Sequence, residues 1–137
     1  MSVIATDTQR YSNVVKYEDE PSLALTREVV VVNDAAKTLK LGMLLGKVTA
    51  TGKYKEAVQS ASDGSQNPVA VVVGKDIFAD DVTVPATTDT NVLAIVRGDV
   101  IVSKAGLLPN ASFNDVTKLA AAYASLASVG ILANDSI

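Results

Sequence analysis

Short runs of β-branched and aliphatic residues, separated by glycines, dominate the central part of the chain between residues 41 and 73. Runs of this length and composition favour strands, and glycine between them allows the backbone to turn. We predict that the backbone turns at Gly42, Gly46, Gly52 and Gly64. The pattern predicts a compact β-rich module.

The same pattern predicts short strands along most of the chain. The predicted strands cover residues 28–32, 39–41, 43–51, 69–73, 82–84, 92–96 and 100–102. The unbroken valine run in the first of these predicts burial on both faces of the strand. Pro68, which has no N–H to donate, suits the start of the fourth. Residues 54–58 fit either an edge strand or a short helical turn, and residues 85–91 fit an exposed loop.

The spacing of apolar residues becomes helical in the last third of the chain. The residues with i, i+3, i+4 spacing are Val116, Leu119, Ala120, Tyr123 and Ala127. Ser112 and Asp115 are placed like a capping box, and Gly130 is placed like a helix stop. We therefore predict one amphipathic helix, followed by a short strand at 131–133. The fold class is α+β, mostly β.

Residues 1–25 are polar, include an acidic run, and show no sustained apolar period. This composition predicts an extended N-terminal arm that is loose when alone, with residues 26–137 forming the domain. The β-forming residues of the arm are Tyr11, Val14, Val15 and Tyr17. They predict a short strand that forms on a partner, and we expect deletion of residues 2–20 to leave the melting of the domain nearly unchanged.

The composition limits the classes of partner. The chain has 137 residues, enough for one domain. It is 48% hydrophobic but 4% aromatic, so its core is built from small aliphatic side chains and gains from an oligomer interface. A net charge of −3 disfavours binding to a nucleic-acid backbone, and no apolar run approaches the roughly 20 residues that span a bilayer. We expect neither nucleic acid nor membrane as a partner, and synthesis in the cytosol.

The sequence offers little for catalysis. It contains no Cys and no His, so thiolate zinc sites and the usual general base are absent. Lys47 follows Gly46 but precedes Val48 rather than a hydroxyl residue, so the phosphate-binding loop pattern fails. The acidic residues Asp76, Asp80 and Asp81 lack the alternating ligands of a calcium loop. We predict a surface turn there, no catalytic, cofactor or metal site, and a protein that is not an enzyme; a hydrolase with paired carboxylates is a distant option.

The tripeptide Arg97-Gly98-Asp99 matches a sequence that some adhesion receptors recognise. It lies within a strand pattern, where Gly98 fits a bulge or a close backbone approach. A structural role is therefore favoured. An adhesion module that binds a host ligand through this tripeptide, or through the loop at 85–91, is the alternative function.

Two stretches resemble a known family. These are Gly-Met-Leu-Leu-Gly-Lys-Val-Thr-Ala-Thr-Gly-Lys-Tyr at 42–54 and Asp-Gly-Ser-Gln-Asn-Pro-Val-Ala-Val at 63–71. They are similar to the signature of the bacteriophage lambda-type head decoration proteins, and segments at 26–30, 96–100 and 107–109 follow in the family's order. The resemblance covers roughly residues 26–133, whereas the arm is family-like only in character.

The resemblance implies a small β-tulip-like domain that acts as a capsid cement protein. It implies a homotrimer on the outer surface of the expanded icosahedral head of a tailed phage, bound to the major capsid protein and resisting internal DNA pressure. The β-forming residues of the arm would then add strand hydrogen bonds to capsid subunits. The chain departs from the short lambda-type pattern by a longer, more acidic arm and a longer insertion at 78–91.

Overall fold

A computed structural model describes residues 15–18, 26–74, 82–98, 100–104 and 106–134. The strands in this part of the chain are β1 (Val15–Glu18), β2 (Arg27–Val32), β3 (Lys37–Leu39), β4 (Leu44–Lys47), β5 (Tyr54–Glu56), β6 (Pro68–Gly74), β7 (Val82–Val84), β8 (Thr90–Ile95), β9 (Val100–Ser103) and β10 (Ile131–Asn134). One helix, α1 (Val116–Ala127), lies between β9 and β10. The prediction of a mostly β fold with one helix in the last third is confirmed.

Five strands close into a barrel in the order β2-β5-β4-β6-β8. The longest ladder joins β2 to β8 in antiparallel register, from Arg27 opposite Ile95 to Val32 opposite Thr90. β5 completes the wall by pairing with β4 and, through Tyr54, with Val32. The segment at 54–58, which fitted either a strand or a helical turn, therefore contributes a strand.

A three-stranded sheet of order β1-β9-β10 packs beside the barrel, and β3 pairs with β7 in a separate two-stranded ribbon. β10 runs parallel to β9, with α1 as the crossover between them. The apolar core has two parts on opposite sides of β6. Ala70 and Val72 face the barrel interior, while Val71 and Val73 join the cluster that includes Leu126 of the helix.

The prediction that the valine strand is buried on both faces is wrong. Val30 and Val32 are buried inside the barrel, but Val29 is 57% exposed. β2 forms barrel wall with only its inner face covered, so it alternates. Burial on both faces occurs instead in β6, which begins at Pro68 as predicted and lies between the two clusters.

The strand predicted at 43–51 ends early, at Lys47. Residues 48–53 form a tight turn instead, in which the Gly52 N–H donates to the Val48 carbonyl at 2.8 Å and the Val48 N–H donates to the Lys53 carbonyl at 2.8 Å. The β-branched composition of 48–51 is overridden because a hairpin between β4 and β5 has to reverse the chain here.

Three of the four predicted turn glycines have positive φ: Gly42 at 97°, Gly52 at 72° and Gly64 at 102°. Gly46 is different, because it lies within β4 and the backbone does not turn there. A Cβ at Gly46 would overlap the backbone carbonyl of Ser65. Its role is to let a loop approach the strand closely.

The helix exists where it was predicted, but its buried face and its cap differ. Ala122 and Leu126 are buried, whereas Val116, in the predicted apolar stripe, is 83% exposed. The helix therefore packs through a face shifted from the predicted one. Of the remaining predicted stripe, Leu119 and Tyr123 are partly buried and pack against the core, while Ala120 and Ala127 are exposed.

The capping box is wrong as well. Asp115 is itself the N-cap and accepts from the Lys118 N–H at 2.8 Å. The Ser112 hydroxyl instead accepts from the Gln59 N–H at 2.9 Å. Gly130, with φ of 89°, lies in the turn just beyond the helix.

Part of the predicted arm belongs to the body. β1 pairs antiparallel with β9, with Val15 opposite Val102 and Glu18 opposite Val100. Val15 is only 8% exposed and joins the core. The strand predicted to form on a partner thus pairs within its own chain. This pairing does not fit the expectation that deletion of residues 2–20 leaves the melting of the domain nearly unchanged. Tyr11, Val14 and the boundary at residue 25 lie outside the described residues.

Candidate functional site

Charged side chains gather at one end of the barrel, which we call the loop end. It is formed by the loops at 33–36, 48–53, 63–67 and 85–89. A shallow cleft of about 440 Å³ opens between them, lined by Asn33, Asp34, Ala35, Val48, Thr51, Lys53, Lys55, Asp63 and Thr87. The strand ladders bring these loops together, because β2, β4 and β5 all have an end there.

Asp34 is the centre of the loop end. Its carboxylate accepts from the Ala35 N–H at 2.7 Å and from the Glu56 N–H at 3.0 Å. It also forms an ion pair with Lys37 at 2.9 Å. Its backbone carbonyl accepts from the Thr87 N–H at 2.8 Å. One residue with a side chain only 8% exposed therefore joins the start of β3, the end of β5 and the loop before β8.

The charges in this cluster stabilise one another. Lys37 also contacts Glu56, with 3.0 Å between Nζ and Oε1. Burial acts to raise the pKa of Asp34, but hydrogen bonds from Lys37, Glu56 and Ala35 outweigh it, so the pKa lies below its ordinary value. Burial acts to lower the pKa of Lys37, yet its bonds to Asp34 and Glu56 raise it above the usual range. Asp34 and Lys37 are therefore both charged at neutral pH and poorly suited to proton transfer.

Two further exposed acidic residues, Asp89 and Asp63, form hydrogen bonds at the edge of the cleft. Asp89 accepts from Asn33 at 2.7 Å and from Lys53 at 2.9 Å. The Asn33 hydrogen bond, followed by that of Lys53, lowers the pKa of Asp89. Asp63 accepts from Ser65, which lowers the pKa of that carboxyl. The contacts of Asp89 hold loops from distant parts of the chain against one another, whereas the contact of Asp63 with Ser65 lies within its own loop.

A chemical site would be marked by grouped metal ligands or by unpartnered buried polar atoms among the described residues. Among them, no three acidic, Cys or His side chains are grouped so as to hold a metal ion. No buried side-chain nitrogen or oxygen within the same ranges lacks a hydrogen-bond partner. The acidic residues Asp76, Asp80 and Asp81, considered above as cation ligands, lie outside the described residues.

The described part of the adhesion-like tripeptide has structural contacts. Arg97 forms an ion pair with Glu28 at 2.9 Å, and the Gly98 N–H donates to the Val129 carbonyl at 2.8 Å. A Cβ on Gly98 would overlap the carbonyl of Gly130. Gly98 is thus a point of close backbone approach, and Asp99 lies outside the described residues.

Of the four predicted capsid-binding residues, two lie in β1. Val15 is buried in the core, and Tyr17 is opposite Ile101 in the ladder with β9. Tyr11 and Val14 precede the described residues. The loop-end cluster was missed by sequence reasoning, and the only local signal was the Asn33-Asp34 turn dipeptide.

A family model described as bacteriophage lambda head decoration protein D matches residues 4–131. The chain belongs to this family. The match begins inside the predicted arm, so at the N-terminal side the resemblance extends beyond the range of 26–133 read from the motifs. A search of curated proteins finds no match.

Membership in the head decoration family implies a role in decorating a phage capsid. The family is one of structural proteins, and its place is the capsid of the virion. A head decoration protein would bind the capsid. Within the described ranges, no helix is both long and apolar enough to span a bilayer.

Proposed function

We propose that this protein is a cement protein that binds the expanded head of a tailed bacteriophage and stabilises it against the pressure of the packaged DNA. The observation that carries the proposal is the family match over residues 4–131.

In this proposal, the protein is made in the host cytoplasm and binds the outer surface of the head, where its partner is the major capsid protein. It acts as a homotrimer. Three weakly binding arms on one body raise the effective concentration of each arm near its site, so that the assembly binds more tightly than a single chain.

The arm makes the main contact by strand addition. Val15 and Tyr17 lie in a strand that already pairs with β9, so β1 anchors the arm to the body. Tyr11 and Val14, just before β1, are the residues that we propose to pair with capsid subunits. Backbone hydrogen bonds supply the affinity in such an arrangement, and the side chains supply the selectivity.

The test is binding of the purified protein to shells that lack it, in expanded and unexpanded form, followed by sedimentation of the shells. We expect binding to expanded shells, little binding to unexpanded ones, and greater resistance of the decorated, DNA-filled heads to heating. Equal binding to both forms, or absence of binding to expanded shells, would contradict the proposal.

A further inference from the structure

The loop before β8 has an unusual backbone. It lies at the loop end, and residues 85–89, which we call the crest, are all exposed. Thr87 has φ of 51°, and it is the non-glycine residue with positive φ among those described. A β-branched residue in this region is strained, and such strain persists only where surrounding contacts fix the backbone.

The contacts that fix the crest come from both of its sides. The Thr87 N–H donates to the carbonyl of Asp34, the buried centre of the loop end. On the other side, Asp89 is held by Lys53 and by Asn33. The strained conformation is therefore imposed by the body of the protein, which presents the crest to solvent in one shape.

The crest also has a definite hydrogen-bonding character. The hydroxyls of Thr87 and Thr88 both donate to the Ala86 carbonyl, at 2.8 and 3.2 Å. The Thr90 hydroxyl donates to the Thr88 carbonyl at 3.2 Å. Because each hydroxyl has used its single hydrogen, the lone pairs of its oxygen remain to accept. The Asp89 carboxylate is paired with Lys53, so the hydroxyls of Thr87 and Thr88 are the uncharged acceptors that the crest offers.

From this shape and chemistry we propose that the crest is a second capsid-contact element, separate from the arm, which docks on N–H donors of a capsid subunit. The inference rests on the proposed capsid-binding function. Backbone N–H groups at a strand edge and side-chain amides are donors of the required kind. A fixed acceptor surface binds them with little loss of conformational entropy, which accounts for strain being kept at an exposed loop.

The test compares shell binding by two double variants. Thr87→Val with Thr88→Val removes both hydroxyls and keeps the β-branched shape. The matched control is Thr38→Val with Thr83→Val, since these threonines are exposed cross-strand partners on the β3–β7 ribbon. We expect the crest variant to bind expanded shells at least about tenfold more weakly and the control to bind within about twofold of the parent.

A third variant separates binding from folding. Thr87→Gly relieves the backbone strain, so we expect it to melt no more than about 2 °C below the parent. It also loosens the crest, and we expect its shell binding to be weakened. Parent-like binding by both crest variants would overturn the crest assignment alone. If the crest variants lose binding to host cells or glycans but keep their capsid binding, the assignment of the crest as a capsid contact is overturned in favour of adhesion. Absence of shell binding by the parent would overturn the proposed function as well.

Discussion

Gly46 and Gly52 are both constrained, but by different features of the fold. Gly46 has no room for a Cβ because the Ser65 carbonyl fills the space, whereas a Cβ on Gly52 would make only an ordinary contact with the Lys47 side chain, at a φ of 72°. We expect Gly46→Ala to lower the free energy of unfolding by about 3 kcal/mol or more. Gly52→Ala should lower it by about 1 kcal/mol, the cost of a left-handed conformation. Urea unfolding of the two variants beside the parent measures the difference.

The order of the two effects is the informative result. A larger loss for Gly52→Ala than for Gly46→Ala would mean that the 63–67 loop moves away from β4 readily. The close approach at Gly46 would then not be a constraint on the fold.

Asp34 gives the protein a specific acid sensitivity. A carboxyl whose pKa is lowered by folding contributes stability at pH values above its ordinary pKa of about 4. This contribution is lost as the pH falls through the pKa of the folded state. We expect Asp34→Asn to lower stability at pH 7 by about 2 kcal/mol. We also expect the stability of the variant to fall less than that of the parent when the pH is lowered below about 4. Unfolding curves at pH 7 and at several acidic values test both effects.

Asp89→Asn is the control for Asp34→Asn, because Asp89 is about half exposed and its pairing is screened by salt. Its effect should shrink in high salt, while that of Asp34→Asn should persist. An unchanged acid slope in the Asp34→Asn variant would show that other carboxyls dominate acid unfolding.

At this scale the sequence predicts local backbone geometry better than contacts. Gly42, Gly52 and Gly64 were recognisable because a glycine between strand-forming runs is a local signal. The role of Asp34 was not, since its partners Glu56 and Thr87 are distant in the chain and the fold alone brings them together. The constraint at Gly46 likewise depends on a loop that approaches from 63–67.

β1 makes the two possible truncations of the arm unequal. Deleting residues 2–14 keeps β1, whereas deleting residues 2–18 removes the ladder with β9 and exposes the core beneath Val15. We expect the longer deletion to be less stable than the shorter one by about 2 kcal/mol or more. Thermal melting of both proteins beside the parent tests this expectation.

Shell binding of the same two deletions adds a second readout. If residues 11–14 carry the strand addition, the shorter deletion should already lose most of its binding while keeping its melting transition. Equal melting of the two deletions would mean that β1 is not held on the body in solution.

Elements were predicted well in kind and less well in orientation. Pro68 marked the start of β6, and helical spacing located α1. The buried faces of β2 and α1 were misjudged, because which side of an element is covered depends on its neighbours. β2 has core on one side only, and the packing of α1 against β6 and β10 leaves Leu126 buried and Val116 exposed.

At the scale of the whole molecule, we expect the protein to associate with itself. The exposed positions of α1 carry no charge; they are Val116, Thr117, Ala120, Ala121, Ala124 and Ala127. Leu132 of β10 is 53% exposed. Because the core is poor in aromatic residues, shared burial of such surfaces would add stability. We expect sedimentation equilibrium to report more than one chain per particle at micromolar concentration.

A replacement on the helix identifies the surface involved. Ala124→Glu should shift the equilibrium toward monomer if α1 lies in the interface, and an unchanged mass would place the interface elsewhere. A monomer at all concentrations would restrict association to the capsid surface.

At the largest scale, the pattern of runs and glycines predicted a β-rich domain but not its closure into a barrel. Closure depends on the pairing of β2 with β8 and of β5 with β2, which no local pattern specifies. The motifs at 42–54 and 63–71 identified the family, although periodicity and composition alone led only to a small β module.

The pairing of β1 with β9 also sets an order of events during synthesis. Val15 emerges from the ribosome early, but its partner Val102 follows only after most of the chain has been made. At roughly 5 to 20 residues per second, the first strand remains without its partner for on the order of ten seconds. The barrel closes sooner, because β8 precedes β9 in the chain. The N-terminal strand is therefore among the last to find its place, and a nascent chain stalled before residue 100 carries it unpaired.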